Sequence, residues 1–232
     1  EKEKKKDNNK EKGNLYYINS IGSDEVGTGD FFGPVVVTAS YVTKENIPFL
    51  EKLGVKDSKK LTDESIKKIV PQIIKKIPYS SIIITNEEYN QKYSTNMNLN
   101  TMKAILHNKV LLNLSSKYSG YDKIVIDQFT PERTYYKYLN KVPNVQKNIT
   151  FVTKGEDKCL SVACSSLISR YIFIKEFDKL SKELNTTLPK GAGDIVDEVG
   201  ANIVKKYGID YLSKYAKLNF KNLEKIKELA NN

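Results

Sequence analysis

The run DKIVIDQF (122–129) sets three consecutive apolar residues, Ile124, Val125 and Ile126, directly before an acid, Asp127. A run this short and β-branched reads as a strand buried on both faces. A carboxylate at the end of such a strand demands a counter-charge, because an unpaired buried acid costs several kcal/mol. The pattern recurs twice. An apolar approach through Tyr16, Tyr17, Ile18 and Ile21 leads to Asp24 and Glu25, and NITFVT (148–153) is followed by Glu156 and Asp157. PVVVTASYV (34–42) and the residues around Ile82 to Ile84 supply two further strands. Between these lie helical patterns at 57–77, where Pro71 is a candidate break, at 96–118 and at 159–180, with helices around 194–206 and 209–229 closing the chain. Strands alternating with helices predict an α/β fold, a mixed β-sheet flanked by helices, with C-terminal helices.

A chain of 232 residues with 39% hydrophobic side chains is long enough for one large folded domain. Its boundaries are expected at 14–232, because residues 1–13, EKEKKKDNNKEKG, carry no apolar side chain and read as a charged tail or linker. The chain opens on Glu rather than Met, which raises the expectation of a longer natural protein with a domain before this one. A net charge of +10 favours an anionic partner, nucleic acid before an acidic membrane surface. No apolar run approaches the length of a membrane span, and no secretory signal opens the sequence. Two cysteines make no disulfide framework, which fits a reducing cytoplasm; no membrane partner and a monomer are also expected. With those two and a single histidine, a Cys/His zinc site is disfavoured, and any metal should be held by oxygen.

The acids at the three strand ends, Asp24 with Glu25, Asp127, and Glu156 or Asp157, fall where a parallel or mixed sheet gathers its ligands. Clustered carboxylates call for a hard divalent cation, Mg²⁺ or Mn²⁺, and two such ions activate water and stabilise the leaving oxygen of a phosphodiester. Basic charge, clustered acids and the lack of a Cys/His nucleophile pattern thus converge on metal-dependent phosphoryl transfer. On a continuing strand Asp24 and Glu25 face opposite sides, so both serve one site only if the strand ends or bulges at Glu25. Gly27 and Gly29 permit such a bend and leave backbone N–H groups open to a nucleic-acid backbone.

Six stretches occur in order: GSDEVGTGDFFGPVVVTA, VKDSKKLTD, NMNLNTMKAILHN, VIDQF, TKGEDKCLSVACSSLISRY and LPKGAG. Together they resemble bacterial ribonuclease HIII, a relative of ribonuclease HII, from about residue 20 to residue 220. The resemblance implies a ribonuclease H-like fold and an endonuclease that cuts the RNA strand of RNA/DNA hybrids with two divalent ions, leaving 5′-phosphate and 3′-hydroxyl ends. It implies a catalytic, metal-binding set of Asp24, Glu25, Asp127 and Glu156, the last chosen over Asp157 by a Thr-Lys-small-Glu pattern. Asp24 would bridge both ions, and Glu25 would hold a water or the 2′-hydroxyl. The same resemblance assigns Gly27, Thr28 and Gly29 to the ribose backbone and Ser58, Lys59 and Lys60 to phosphate. Lys103 and His107, four apart on one helix face, and Ser165 complete the candidate substrate contacts. Two departures stand out. The family usually carries an N-terminal hybrid-gripping domain, whereas here a lysine-rich remnant precedes the catalytic part, and Asn219 in AKLNF stands where histidine is expected.

Two alternatives compete. One is a type HII activity at single ribonucleotides embedded in duplex DNA, which Thr28 and the TKGE element disfavour. The other is a hybrid-binding module without catalysis, which the retained acids disfavour, since a phosphate binder gains nothing from extra negative charge.

Overall fold

The computed structural model describes residues 15–232. The expected tail, 1–13, lies outside the described residues. Five strands form one mixed sheet in the order β3-β2-β1-β4-β5. They are β1 (Ser20–Val26), β2 (Val35–Val42), β3 (Tyr79–Ile84), β4 (Lys123–Asp127) and β5 (Ile149–Val152). β4 runs parallel to both β1 and β5, so the chain builds one side of β1 first and then crosses to the other. The order reverses at the β1/β4 boundary, where an open α/β sheet leaves room for a ligand beyond the strand ends.

Eight α-helices occur among the described residues: α1 (Ile47–Lys52), α2 (Asp63–Ile74), α3 (Asn86–Lys92), α4 (Leu99–Ser115), α5 (Glu132–Tyr138), α6 (Leu160–Glu183), α7 (Asp194–Tyr207) and α8 (Asn222–Asn231). The helix expected at 57–77 is shorter than its pattern. Residues Val55–Lys60 form a tight 3-10 segment, Leu61 is extended, and Thr62 starts α2 by accepting a hydrogen bond from the Ser65 N–H. Pro71 sits inside α2 without splitting it. The first strand begins at Ser20, later than the apolar approach through Tyr16 suggests.

The chain divides into two compact units. One takes residues up to Glu25 with Val37–Ile82 and Asn100–Tyr171; the other takes Val26–Val36, Ile83–Leu99 and Ile172–Asn232. In the first, the face of β1 and β2 toward α6 is lined by hydroxyls instead of large apolar groups. Ser20 bonds Ser161 at 2.7 Å, Ser40 bonds Ser165 at 2.9 Å, Thr38 bonds Ser169 at 2.9 Å, and Ser165 donates to the Gly22 carbonyl at 2.7 Å. Close approach explains this choice. A Cβ on Gly22 would lie 2.3 Å from Ser161 Oγ and 2.7 Å from the Val162 backbone nitrogen, so only glycine lets α6 lie against β1 there. Each small hydroxyl then satisfies a neighbour that burial would otherwise leave unpaired.

The second unit has its own core of Phe31, Phe32, Phe173, Phe177, Leu212 and Ile226, all buried. The helix expected at 209–229 is interrupted here: a 3-10 segment covers Ile209–Lys214 and α8 starts only at Asn222. The backbone between them is used elsewhere. Gly33 N–H donates to the Tyr215 carbonyl, Phe32 bridges Ala216, and Lys217 N–H donates to the Phe31 carbonyl. No described helix is long and apolar enough to cross a membrane.

Candidate active site

Alternation along β1 sorts the acids. Ser20, Gly22 and Asp24 share the face toward α6, whereas Ser23 and Glu25 share the other. The strand continues to Val26, so it neither ends nor bulges at Glu25 and the two acids leave on opposite faces. Parallel register pairs Ser23 with Ile126, and one step further brings Asp24 beside Asp127 on the same face. Asp127 is fixed from β5's side of the sheet: its Oδ1 accepts the Gly155 N–H at 2.6 Å. Gly155–Asp157 form the 3-10 turn after β5 that carries Glu156.

Asp24 is 8% exposed, and its Oδ1 accepts the Glu25 N–H at 2.8 Å. Burial, then the charges of Glu25 and Asp127, push its carboxyl well above the ordinary range; the Glu25 N–H opposes this and Glu156 adds to it. Four acids thus act on one another electrostatically. Glu25 behaves oppositely. Burial alone would raise it, but the hydrogen bond and charge of His107 and the charge of Lys103 outweigh burial and hold it at about 2. Lys103 Nζ lies 2.5 Å from Glu25 Oε1 and His107 Nε2 lies 2.7 Å from Oε2. The carboxylate fixes a proton on Nε2, while Nδ1 faces Ser23 Oγ at 2.7 Å. Phe129 stacks on the His107 ring at 5.3 Å, and Lys103 lies 4.2 Å over the Phe129 ring.

Glu156 is gripped by the DSKK turn. Ser58 Oγ donates to it at 3.2 Å, and Lys59 reaches it at 3.4 Å and Asp157 at 2.9 Å. Lys59 is 47% exposed, so these ion pairs are weak and readily exchanged for a phosphate. Arg170 of α6 holds the turn itself, its two terminal nitrogens donating to the Ser58 and Leu61 carbonyls at 3.0 Å each. Lys60 is exposed and pairs with Asp57 at 3.3 Å.

The candidate residues therefore fall into four sets. Asp24, Asp127 and Glu156 gather with Ser58 and Lys59. Lys103 and His107 engage Glu25, and the His107 side chain is fully buried. Ser165 is buried in the sheet–α6 packing, away from any surface. Gly27, Thr28 and Gly29 follow β1 in the second unit. Gly27 has φ +93°, and a Cβ there would strike the Pro34 carbonyl oxygen at 2.1 Å. A Cβ at Gly29 would meet nothing within 4 Å, so the loop tip is open. Asn219 accepts a 2.9 Å hydrogen bond from the Tyr89 hydroxyl.

Among the described residues no three side chains of the Asp, Glu, His and Cys types stand close enough to grip one metal ion as they lie. The donor chemistry nonetheless fits a hard divalent cation: the groups are carboxylate oxygens, and Asp24 carries uncompensated repulsion from its acidic neighbours. Ser23, Phe129 and Arg170 are supporting residues that motif reading passed over. Ser23 is two residues from Glu25, and Arg170 is a lone charge in the apolar run SLISRYIF; both signals lie in the sequence.

Residues 21–223 match the family model described as Ribonuclease HII. A Bacillus cereus (strain ATCC 10987 / NRS 248) protein named Ribonuclease HIII is 49% identical over 208 residues, which cover 88% of this chain and 67% of that protein. The crystal structure of Bst-RNase HIII in complex with Mn²⁺ superposes with a TM-score of 0.90 at 40% identity, covering 95% of this chain and 72% of the other. Ribonuclease H2 from Pyrococcus horikoshii OT3 has a TM-score of 0.73 at 22% identity, covering 93% of this chain and 100% of that one, a likeness of fold.

Proposed function

The chain belongs to the ribonuclease HII family, and we propose that it hydrolyses the RNA strand of RNA/DNA hybrids with two divalent ions, Mg²⁺ or Mn²⁺, leaving 5′-phosphate and 3′-hydroxyl ends. The observation that carries this reading is the electrostatic state of Asp24. A buried carboxyl driven upward by burial and by Glu25, Asp127 and Glu156 is a site short of positive charge. When bound, divalent ions supply that charge, an activated water and stabilisation of the leaving oxygen.

The chain's own groups do the positioning. The Gly155 N–H orients Asp127, and Ser58 orients Glu156. Lys103 and His107 keep Glu25 ionised at neutral pH and fix both of its oxygens, so it presents a carboxylate acceptor of set direction. Lys59 is the exposed cation that a substrate phosphate can take over from Glu156 and Asp157. Among the described residues the N–H groups of Thr28 and Gly29 have no intramolecular acceptor, which leaves two donors for a sugar–phosphate backbone.

Thr28 supports cleavage within runs of ribonucleotides. It offers no charged fork of donors for an RNA-to-DNA junction, whereas consecutive 2′-hydroxyls in a wide minor groove mark a hybrid. Initial rates with Mg²⁺ and Mn²⁺ on a hybrid and on a duplex with one embedded ribonucleotide test this. Faster cutting of the hybrid is expected; equal rates, or faster cutting at the lone ribonucleotide, move the activity to the HII type. No cleavage of either substrate leaves the non-catalytic binder.

A further inference from the structure

Lys217 is a lysine with no exposed surface in the second unit. Its Nζ donates to the Asp30 carbonyl at 2.7 Å and to the Gly33 carbonyl at 2.5 Å. Its backbone N–H donates to the Phe31 carbonyl at 2.8 Å. One residue thus binds three carbonyls of a four-residue stretch. Gly191 closes the same stretch from another side, its N–H donating to Asp30 Oδ1 at 2.6 Å and its carbonyl accepting the Phe31 N–H at 2.9 Å.

The stretch so clamped is the root of the glycine loop. Its tip is joined to the root by a tight turn, Asp30 N–H to the Gly27 carbonyl at 3.4 Å. Root and tip contrast sharply. The Asp30 and Gly33 carbonyls accept the Lys217 ammonium, Asn86 Nδ2 also donating to Gly33 at 2.8 Å, and the Phe31 carbonyl accepts the Lys217 backbone N–H, while the N–H groups of Thr28 and Gly29 have no acceptor among the described residues. Burying an ammonium is expensive, and a methionine or leucine would fill the same space at no electrostatic cost. A chain that keeps lysine there gains one side chain that ties the Asp30 and Gly33 carbonyls together, and an apolar residue would leave the Asp30 carbonyl without that donor.

We propose that Lys217 is a positioning residue for substrate recognition: its buried amino group pins the Asp30 and Gly33 carbonyls and thereby presets the Thr28 and Gly29 N–H donors for the sugar–phosphate of the ribonucleotide strand. The assignment rests on the glycine loop being a substrate contact in the function proposed above. Burial pulls the Lys217 amine down to about 7 against the opposing pull of Asp30, which shows how little solvent shares in holding these carbonyls.

The test compares Lys217→Met with Ile226→Val, a substitution in the same core away from the loop's hydrogen bonds. Both are measured for melting temperature, for kcat and KM on an RNA/DNA hybrid, and for Mn²⁺ affinity by calorimetry. Lys217→Met should lower kcat/KM by about 10- to 100-fold, chiefly through KM, because misplacing a binding group by an ångström has that effect. Its Mn²⁺ affinity should match wild type, and the Phe31 and Gly33 amides should exchange hydrogen faster. Ile226→Val should lower the melting temperature modestly and leave kcat/KM, Mn²⁺ affinity and those amide exchange rates as in wild type. Wild-type cleavage combined with an unchanged KM and unchanged amide exchange in Lys217→Met overturns the role of Lys217 alone. A wild-type protein that leaves hybrid intact overturns the functional reading instead. Should Lys217→Met fail to fold, Asp30→Asn keeps an acceptor for the Gly191 N–H and removes the charge facing Lys217. A several-fold rise in KM there sustains the assignment, and an unchanged KM overturns it.

Discussion

Replacing Asp24 by asparagine should abolish metal binding and cleavage while making the metal-free protein more stable. Asp24 and Asp127 lie on adjacent parallel strands at neighbouring register positions. Carboxylates about 5–6 Å apart, roughly one strand spacing, repel by about 3 kcal/mol at an effective dielectric near 20. Glu25 adds less than its formal charge because the Lys103 ammonium neutralises much of it. The repulsion is partly relieved by solvent at the strand ends and by proton uptake, which leaves a net gain of about 1–2 kcal/mol on removing the charge, typical of an active-site acid held at the expense of stability. Asparagine keeps the Oδ1 that accepts the Glu25 N–H and adds an NH₂ donor for the neighbouring acids.

The sign with pH follows from the direction of the shift. An unfolded aspartate titrates near 3.8, whereas Asp24 in the folded protein titrates well above that. Between the two values the native state binds more protons, so stability falls as pH rises through that window, and above the folded value the full penalty is present. The gain of Asp24→Asn should therefore be largest above the folded-state value and should vanish below about pH 4. The assay is thermal unfolding with chelator and with Mn²⁺. In chelator the variant should melt about 2–8 °C above wild type. With Mn²⁺ at about a hundred times its Kd, wild type should gain about 2.7 kcal/mol and the variant far less. A variant that melts below wild type in chelator, or that Mn²⁺ stabilises as strongly as wild type, refutes the account of Asp24 as an uncompensated charge awaiting a cation.

Glu156→Gln should reduce turnover by orders of magnitude, whereas Asp157→Asn, which only loosens Lys59, should have a mild effect; the reverse ranking in initial rates would make Asp157 the fourth acid. Gly22→Ala forces a methyl into the Ser161 hydroxyl and the Val162 backbone, so it should cost about 1–3 kcal/mol or more in denaturant unfolding. An unchanged midpoint would show that α6 can move away from β1 freely. Arg170→Gln removes the fork that holds the Ser58 and Leu61 carbonyls, and should raise KM for hybrid with little change in Mn²⁺ affinity. Equal losses of both would place Arg170 in general packing rather than in support of the DSKK turn.

The strands and the acids were legible because each rests on a local rule. Short β-branched runs mark β2, β3, β4 and β5, whereas the apolar approach through Tyr16 reaches β1 only at Ile21; KIVID needed only its apolar triplet and terminal acid to be placed. Helix limits were less legible where tertiary contacts set them. Nothing local in 209–229 says that Tyr215 to Lys217 must leave the helix; the demand comes from the backbone of Phe31 to Gly33, more than 180 residues away in sequence. Likewise DSKK has the composition of a helix start, yet Arg170 draws its carbonyls outward into a tight turn.

The candidate site shows the same division between local and distant causes. Residue identity pointed to Asp24, Glu25, Asp127 and Glu156, but not to the electrostatic inequality among them. Adjacent acids on one strand face opposite ways, so Glu25 meets α4, with the Lys103 ammonium and the His107 ring, while Asp24 meets Asp127 and no cation. His107 illustrates the point from the other side. Four-residue spacing correctly grouped it with Lys103, and spacing alone cannot tell whether that helix face meets a phosphate or an internal carboxylate. Ser23 resolves the choice, because its hydroxyl takes the second ring nitrogen and closes the histidine off from solvent. The pair of acids that opens the glycine loop thus sits in two different environments: one carboxylate held ionised and aimed by Lys103 and His107, the other pushed toward protonation by burial and its acidic neighbours.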